Sequence, residues 1–251
     1  MSTGQHHDGL DPLVSSPLFA GVAPETVQSM TAVLSLERWP GRRMVMGPDQ
    51  TLDRFYVLRK GRVKVTRQNI RNGREITLFL LGPGDAFNVV CLLDGQLHDV
   101  SAQTLDPVEV LSGPVDLWKG WLDQYPAFRQ AVRRYIYERL NHLNELACDL
   151  ALHDTMTRLA HLLLTYCSDR LTCRDLMLIS DLSHEELAHM IGTVRVVVNR
   201  LLAELKREGI VDTNGGKLRV LDLQKLLEKT EQHVYGTSSR ANSSTTFGTL
   251  P

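Results

Sequence analysis

The stretch TVRVVVNRLLAEL, residues 193–205, decides how the carboxyl-terminal part of the chain folds. It places three consecutive valines between Arg195 and Arg200. β-Branched residues are mediocre helix formers. A solvated helix face also gains nothing from a valine placed between two guanidinium groups. The valines therefore require a role other than helix propensity.

The residues immediately before this stretch, LSHEELAHMIG (182–192), predict a short preceding helix. Ser183 followed three residues later by Glu186 is a capping box. Gly192 is expected to end this helix, and Thr193 to start the next one. Two short helices joined by a tight glycine turn are typical of a helix-turn-helix. The alternative is an ordinary helical pair that carries one stray valine.

A helical wheel gives the valines of the second helix different roles. The expected packing face consists of Val194, Val198, Leu201, Leu202 and Leu205, with Val197 at its edge. Arg195, Val196, Asn199 and Arg200 point away from it. In a DNA major groove, arginine bonds guanine, asparagine bonds adenine, and an apolar side chain contacts a thymine methyl group. The candidate DNA-binding residues are Ser183, Thr193, Arg195, Val196, Val197, Asn199, Arg200 and Lys217.

Residues 42–110 have the pattern of short strands separated by glycines. RFYVLRKGRVKVTRQ (54–68) gives two alternating runs that meet at Gly61. Asn72-Gly73 is a hairpin signal, and an apolar run and the Gly82-Pro83-Gly84 turn follow it. Strands at roughly ten-residue spacing predict an antiparallel sandwich or barrel.

After Pro126 the apolar spacing becomes helical, and a helix is predicted from Ala127 to Leu152. Self-association is favoured because a helix this long without caps indicates it. The alternative is a core helix that lies on the sheet. The predicted dimer seam, with alternating spacings of four and three, is Val132, Ile136, Arg139, Leu143, Leu146 and Leu150.

From about Asp154 to Val234 the chain is expected to be helical again, apart from two extended pieces. These pieces are DLMLIS (175–180) and KLRVLD (217–222). The second follows Asn214-Gly215-Gly216, which predicts a hairpin turn.

The bulk composition is that of an ordinary globular protein, with a net charge of −1. No apolar run is long enough to span a bilayer, and MSTGQHHDGLDP lacks the features of a signal peptide. A cytoplasmic location without a membrane partner is expected. The cysteines Cys91, Cys148, Cys167 and Cys173 form no C-x-x-C pair, which favours free thiols. No catalytic motif is present, so an enzyme is not expected.

Four segments in this order resemble the CRP/FNR family of bacterial transcription regulators. They are FYVLRKGRVKV (55–65), GREITLFLLGPGDAF (73–87), DGQLHDVSA (94–102) and LSHEELAHMIGTVRVVVNRLLAELKREGIV (182–211). The resemblance extends from about Ser16 to Asp222. It implies an α+β fold with a β-roll (jelly-roll, cyclic-nucleotide-binding-like) sensor domain, a long dimerisation helix and a winged helix-turn-helix.

The resemblance also implies domain boundaries and partners. The expected parts are a flexible tail (1–15), a β-roll effector domain (16–123), a dimerisation helix (124–152), a winged helix-turn-helix (153–236) and a disordered tail (237–251). A homodimer would bind a palindromic operator in double-stranded DNA, with half-sites about one helical turn apart. RNA polymerase is a further implied partner.

The effector region departs from the family's pattern. Cyclic-nucleotide-binding members carry Gly-Glu and Arg-Ser pairs, but here Asn88-Val89 and His98-Asp99 stand in their places. On the long helix, Leu143 and Asn144 replace two hydroxyl residues. An effector other than cyclic AMP is therefore expected, because a phosphate would lack its arginine. The candidate pocket residues are Phe87, Asn88, Val89, Cys91, His98, Asp99, Leu143 and Asn144.

Two alternatives concern the effector and the partner. Cys91, His98 and His142 are candidate haem ligands; otherwise they are a buried thiol and two surface or hinge imidazoles. An iron–sulfur cluster of the oxygen-sensing type is not expected, because no cysteine precedes Cys91. A ligand-binding protein whose helical end contacts a protein partner is the other functional class that stays open. Val196 stands where the family often has glutamate, and the Arg195-Val196 pair resembles that of the family's nitrogen-control branch.

Overall fold

The computed structural model describes Leu13 and residues 16–47, 53–92, 99–167, 176–213 and 217–231. The chain forms two compact units, residues 1–147 and 148–251. The boundary therefore falls inside the long helix. The predicted tails, 1–15 and 237–251, lie outside the described residues, apart from Leu13.

The described residues of the first unit form two four-stranded antiparallel sheets and three α-helices. One sheet has the order β1-β8-β3-β6 and the other β2-β7-β4-β5, which confirms the predicted antiparallel sandwich. β1 precedes the region in which strands were predicted. The elements are α1 (Pro24–Ala32), β1 (Ser35–Trp39), β2 (Met44–Met46), β3 (Arg54–Lys60), β4 (Val63–Gln68), β5 (Glu75–Leu81), β6 (Ala86–Phe87), β7 (Ser101–Thr104), β8 (Val108–Pro114), α2 (Val115–Gln124) and α3 (Pro126–Leu152).

Gly61 carries the chain from one sheet to the other. Its φ of +81° lies in the left-handed region, and a Cβ there would come within 2.5 Å of the Pro107 carbonyl oxygen. Only glycine is tolerated at such a position without strain. The predicted β4–β5 hairpin is present, with Gln68 paired to Glu75 and Gly73 at a φ of +68°.

Two apolar clusters hold the first unit together. One is built around the buried aromatic rings of Phe19, Phe55, Trp118 and Phe128. The other includes Leu58, Val63 and Val110, which come from strands of both sheets. Strands β3 and β8 contribute side chains to both clusters and are buried in continuous runs, because the other sheet packs on one of their faces and helices pack on the other.

The long helix α3 begins one residue before its predicted start and ends at Leu152 as predicted, but part of the predicted dimer seam is used within the unit. Val132 is only 3% exposed and belongs to the aromatic cluster. Arg139 forms an ion pair with Asp85. Assigning both residues to a seam was wrong, because this stretch of α3 packs on its own unit. The core-helix alternative holds here.

The second unit is mainly helical, and one predicted extended piece is wrong. DLMLIS contains the helix α5 (Leu176–Ile179), and Ile179 is buried. The prediction failed because a short apolar run has no diagnostic period, and leucine and methionine favour helix. KLRVLD contains β10 as predicted, and the turn 214–216 lies outside the described residues. The elements are α4 (Thr155–Cys167), α5 (Leu176–Ile179), α6 (His184–Met190), α7 (Arg195–Arg207), β9 (Val211–Asp212), β10 (Arg219–Val220) and α8 (Leu223–Glu231).

Within the described ranges, no helix combines the length and the apolar character that a membrane span needs.

Candidate DNA-binding surface and effector region

The α6–α7 pair has the geometry of a helix-turn-helix. Ser183 Oγ accepts a hydrogen bond from the Glu186 N–H (3.2 Å), as the capping motif indicated. The Ser183 hydroxyl also donates one to the Glu186 carboxylate (2.7 Å). Gly192 adopts a φ of +64° after the end of α6. Thr193 was expected to start α7, but the helix begins at Arg195. The Thr193 N–H donates to the Ala188 carbonyl (2.9 Å), so Thr193 belongs to the turn.

The three valines of α7 separate as the helical wheel indicated. Val198 is buried with Leu201, Leu202 and Leu205. Val197 is half-buried, and Val196 is 75% exposed. Placing Val194 on the packing face was wrong, since it is 58% exposed. Val194 is the extended N-cap of α7, so the helical wheel does not apply to it.

The outward face of α7 carries cations that are available to a polyanion. Arg195 and Arg200 are exposed, and neither has an ion-pair partner among the described residues. Lys206 is used differently, because its Nζ lies 3.7 Å from Asp212 Oδ1 on β9. Lys217 and Arg219 are exposed at and beside β10. Unpaired guanidinium groups on the amino-terminal turns of a recognition helix suit contact with base edges and phosphates.

One contact on this surface was missed by the sequence reading. His184 Nδ1 forms a hydrogen bond with Asn199 Oδ1, across the two helices. Asn199 is therefore held by the first residue of α6. A histidine directly after a helix cap was the available signal, but nothing in the spacing connects it with a residue fifteen positions later.

Three candidate pocket residues of the first unit, Phe87, Asn88 and Val89, make contacts within the fold. Phe87 is buried and stacks on Tyr56, with the ring centroids 4.8 Å apart. Asn88 has a left-handed φ of +63°, and its Nδ2 donates to the Arg54 carbonyl (3.0 Å). Val89 is half-buried against the aromatic cluster. Asparagine tolerates this conformation, which explains how it stands where the family has glycine.

The remaining candidates are more dispersed. Asp99 is exposed and pairs with Arg67 at 3.0 Å. Leu143 is half-buried and Asn144 is exposed. The Cys91 backbone lies in the 3-10 helix Val89–Leu92. Its side chain and the whole of His98 lie outside the described residues, so two of the three candidate haem ligands cannot be placed.

His142 is bonded to a strand. Its Nε2–H donates to the Leu78 carbonyl (3.0 Å), and its ring lies 5.4 Å from that of Phe79. Burial lowers the pKa of His142 below its usual value of 6.5, so the imidazole is held neutral. To serve as an axial ligand through Nε2, His142 would have to give up this hydrogen bond.

A polar network that was not anticipated connects α3 to the turn after β5. Arg139 pairs with Asp85 and donates to the Tyr135 hydroxyl (2.8 Å). The Tyr135 hydroxyl also accepts from the Ala86 N–H (3.0 Å). Burial raises the pKa of Tyr135, which therefore stays neutral. The Tyr-x-x-x-Arg spacing was a usable signal, because i and i+4 side chains share a helix face.

Comparison with known proteins gives two matches to family models. The cyclic nucleotide-binding domain matches residues 36–125. The Crp-like helix-turn-helix domain matches residues 157–229.

The chain is also similar to complete regulators. It is 32% identical to the global nitrogen regulator of Nostoc sp. over 189 residues, which cover 74% of this chain and 84% of the relative. It is 28% identical to the CRP-like cAMP-activated global transcriptional regulator of Mycobacterium tuberculosis, over 86% of this chain and 97% of the relative. The solved structure of the c-di-GMP-responsive global regulator CLP of Xanthomonas campestris has the same fold, with a TM-score of 0.67, 19% identity and coverage of 80% of this chain and 100% of CLP.

Proposed function

The chain belongs to the CRP/FNR family of transcription regulators, and from that premise we propose that it acts as a homodimer on a palindromic operator. Its helix-turn-helix domain makes it a DNA-binding regulator and not an enzyme. The finer proposal is that α7 reads the bases and that the effector is not cyclic AMP.

The observation that carries the base-reading proposal is the outward position of Val196. A single exposed apolar side chain is ordinary on a protein surface. Val196 differs because Arg195 precedes it and Asn199 and Arg200 follow, all three on the exposed face of the same helix. Donors for guanine and adenine around an apolar side chain form a set that matches a major-groove edge. Lys217 and Arg219 add phosphate contacts from the wing.

The dimer seam that we propose is one helical row away from the predicted one. Ile136, Leu140, Leu143 and Ala147 follow a spacing of four, three and four along α3. Leu140 is 62% exposed and Ala147 is exposed, while Ile136 and Leu143 are half-buried at the edge of the packed face. This row retains two residues of the predicted seam. It replaces Val132 and Arg139, which the first unit uses for its own packing, and it leaves out Leu146 and Leu150.

The effector proposal is supported by the side chains in the region where cyclic-nucleotide-binding relatives would hold the sugar and phosphate. Asn88 is bonded to the backbone, Val89 offers no carboxylate, and Asp99 is an anion already paired with Arg67. Asp99 offers a cyclic phosphate no positive charge, and it occupies the Arg67 guanidinium that could otherwise pair with one. Because Arg139 and Tyr135 bond the turn that leads into this region, we propose that effector binding is transmitted to α3 through that network.

The base-reading proposal is tested with operators selected by the wild-type protein from a randomised DNA library. Arg195→Ala and Arg200→Ala should each weaken binding to the selected operator by about 1–3 kcal/mol, or roughly 5- to 150-fold, while binding to unrelated DNA changes less. Lys225→Ala is the matched control, because Lys225 is an exposed cation of α8 that pairs with Asp222 at 3.3 Å. It should change operator binding less than twofold.

The same assay separates the competing hypotheses. A dimer should bind the full palindrome far more tightly than a single half-site. If the Arg195→Ala/Arg200→Ala double variant retains full operator affinity, α7 does not read DNA. The helical end would then be assigned to a protein partner.

A further inference from the structure

Three metal-ligating side chains meet in the second unit, beside the end of α3. Asp149 lies on the last turn of α3, His153 follows the helix, and His161 lies on α4. One ligand atom from each side chain lies within 4.8 Å of the other two. All three side chains are half-buried, so they are screened from bulk water and still accessible to a small ion.

The local fold explains why these residues meet. The His153 N–H donates to the Asp149 carbonyl (3.1 Å), so the helical turn continues through His153. Residues four apart on a helix share one face. Asp154 then begins α4, since its Oδ1 accepts a hydrogen bond from the Thr157 N–H (2.8 Å). The chain reverses within these few residues, and α4 brings His161 back to Asp149.

One distance between the ligand atoms is shorter, and another is longer, than the separation of ligand atoms around a coordinated ion. His161 Nδ1 lies 2.8 Å and His153 Nε2 lies 4.0 Å from Asp149 Oδ1. The two imidazole rings are nearly perpendicular, with centroids 5.1 Å apart. Ligands about 2.0–2.2 Å from a tetrahedral Zn²⁺ lie about 3.4 Å from one another. Shifts of roughly 1 Å at the side-chain ends would therefore complete the site, which rotamer adjustment can supply.

We propose that Asp149, His153 and His161 bind a divalent first-row transition-metal ion of the Zn²⁺ type, with water in the fourth position. Two imidazoles and one carboxylate suit such ions, whereas Mg²⁺ and Ca²⁺ prefer sites built from oxygen alone. This inference does not depend on the proposed operator binding.

The bound ion would stabilise the part of the second unit that supports the helix-turn-helix. Leu150, the residue after Asp149, lies against the turn, because a Cβ on Gly192 would come within 2.5 Å of Leu150 Cδ2. A ligand that binds only the folded form stabilises it. Saturating Zn²⁺ should therefore slow hydrogen exchange in the first turns of α4 and raise the unfolding temperature of the second unit by roughly 5 °C.

The first experiment measures Zn²⁺ binding to the full chain by titration calorimetry. One ion should bind at this cluster in each chain. His153→Gln and His161→Gln should each weaken binding at least about tenfold. His184→Gln is the matched control, a histidine of the second unit outside the cluster. A His6→Gln/His7→Gln variant removes the adjacent histidine pair near the amino terminus, and it should retain the site. Equal Zn²⁺ affinity in wild type and in the His153→Gln/His161→Gln double variant would overturn the proposal.

A second measurement does not depend on how the substituted site folds. X-ray absorption of the Zn²⁺-loaded His6→Gln/His7→Gln protein should show two imidazole ligands and a low coordination number. Co²⁺ at the same site should give the visible absorption of a low-coordinate ion. A spectrum without imidazole scattering would contradict metal binding at this site. The contact between His161 and Asp149 would then be only a hydrogen bond.

Discussion

The helices α3 and α7 use their polar side chains in opposite ways. On α3, Tyr135, Arg139 and His142 all bond to strands or turns of the first unit. On α7, Arg195 and Arg200 point into solvent, with no ion pair in the part of the chain that the structure describes. Changes on α3 should therefore alter stability and its dependence on pH. Changes on the outward face of α7 should alter binding and leave stability intact.

The largest effect on stability is expected for Asp85→Asn. It leaves the Arg139 guanidinium, whose side chain is only 27% exposed, without its anion, which should lower the free energy of unfolding of the first unit by about 3 kcal/mol. Trp39, Trp118 and Trp121 are the only tryptophans of the chain, and all lie in the first unit. Urea unfolding followed by tryptophan fluorescence therefore reports this unit alone.

Asp99→Asn is the matched control for that change. Asp99 also pairs with an arginine, but its side chain and that of Arg67 are 49% and 60% exposed. Such exposed pairs contribute about 0–1 kcal/mol. Equal losses for the two variants would show that burial does not distinguish the two ion pairs.

A smaller effect is expected where the second unit requires glycine. Gly192→Ala should destabilise this unit by about 2 kcal/mol, because it adds a close approach to Leu150 to the strain of a left-handed residue. Gly209→Ala is the control that measures backbone strain alone, because Gly209 has a φ of +72° with open space around it. It should destabilise the second unit by about 1 kcal/mol. Hydrogen exchange of the α7 amides measures both losses. Identical losses would mean that Leu150 does not support the turn.

The smallest effect concerns pH. Because the pKa of His142 is lowered in the folded protein, the unfolded chain binds more protons once the pH falls below about 6.5. Stability should therefore decrease as the pH falls through this range, and His142→Gln should show a weaker decrease. The comparison uses urea midpoints from tryptophan fluorescence at several pH values. Parallel profiles for the two proteins would contradict a neutral, buried imidazole.

The contrast between the helices also explains which features the sequence could reveal. The capping box and the outward position of Val196 follow from local rules of spacing, and both agree with the structure. The helical wheel failed only at Val194, which precedes the first helical residue. Local rules are sufficient where each side chain responds mainly to its own helix.

Features that depend on tertiary contacts were not accessible in this way. The spacing of α3 indicated an apolar row but not which face the β-roll would cover, so Val132 and Arg139 were assigned to a dimer seam. The bond between Asp85 and Arg139 joins residues 54 positions apart. DLMLIS was assigned as extended because a short apolar run satisfies either period.

The most direct test of the central claim, that the outward face of α7 reads bases, is the base preference of Val196→Ser. Operators are selected from the same randomised library by wild type and variant. We expect preference to change at one base pair in each half-site, where the valine contacts a thymine methyl group. The free energy of unfolding should stay within about 0.5 kcal/mol of wild type. Identical preferences at every position would contradict the claim.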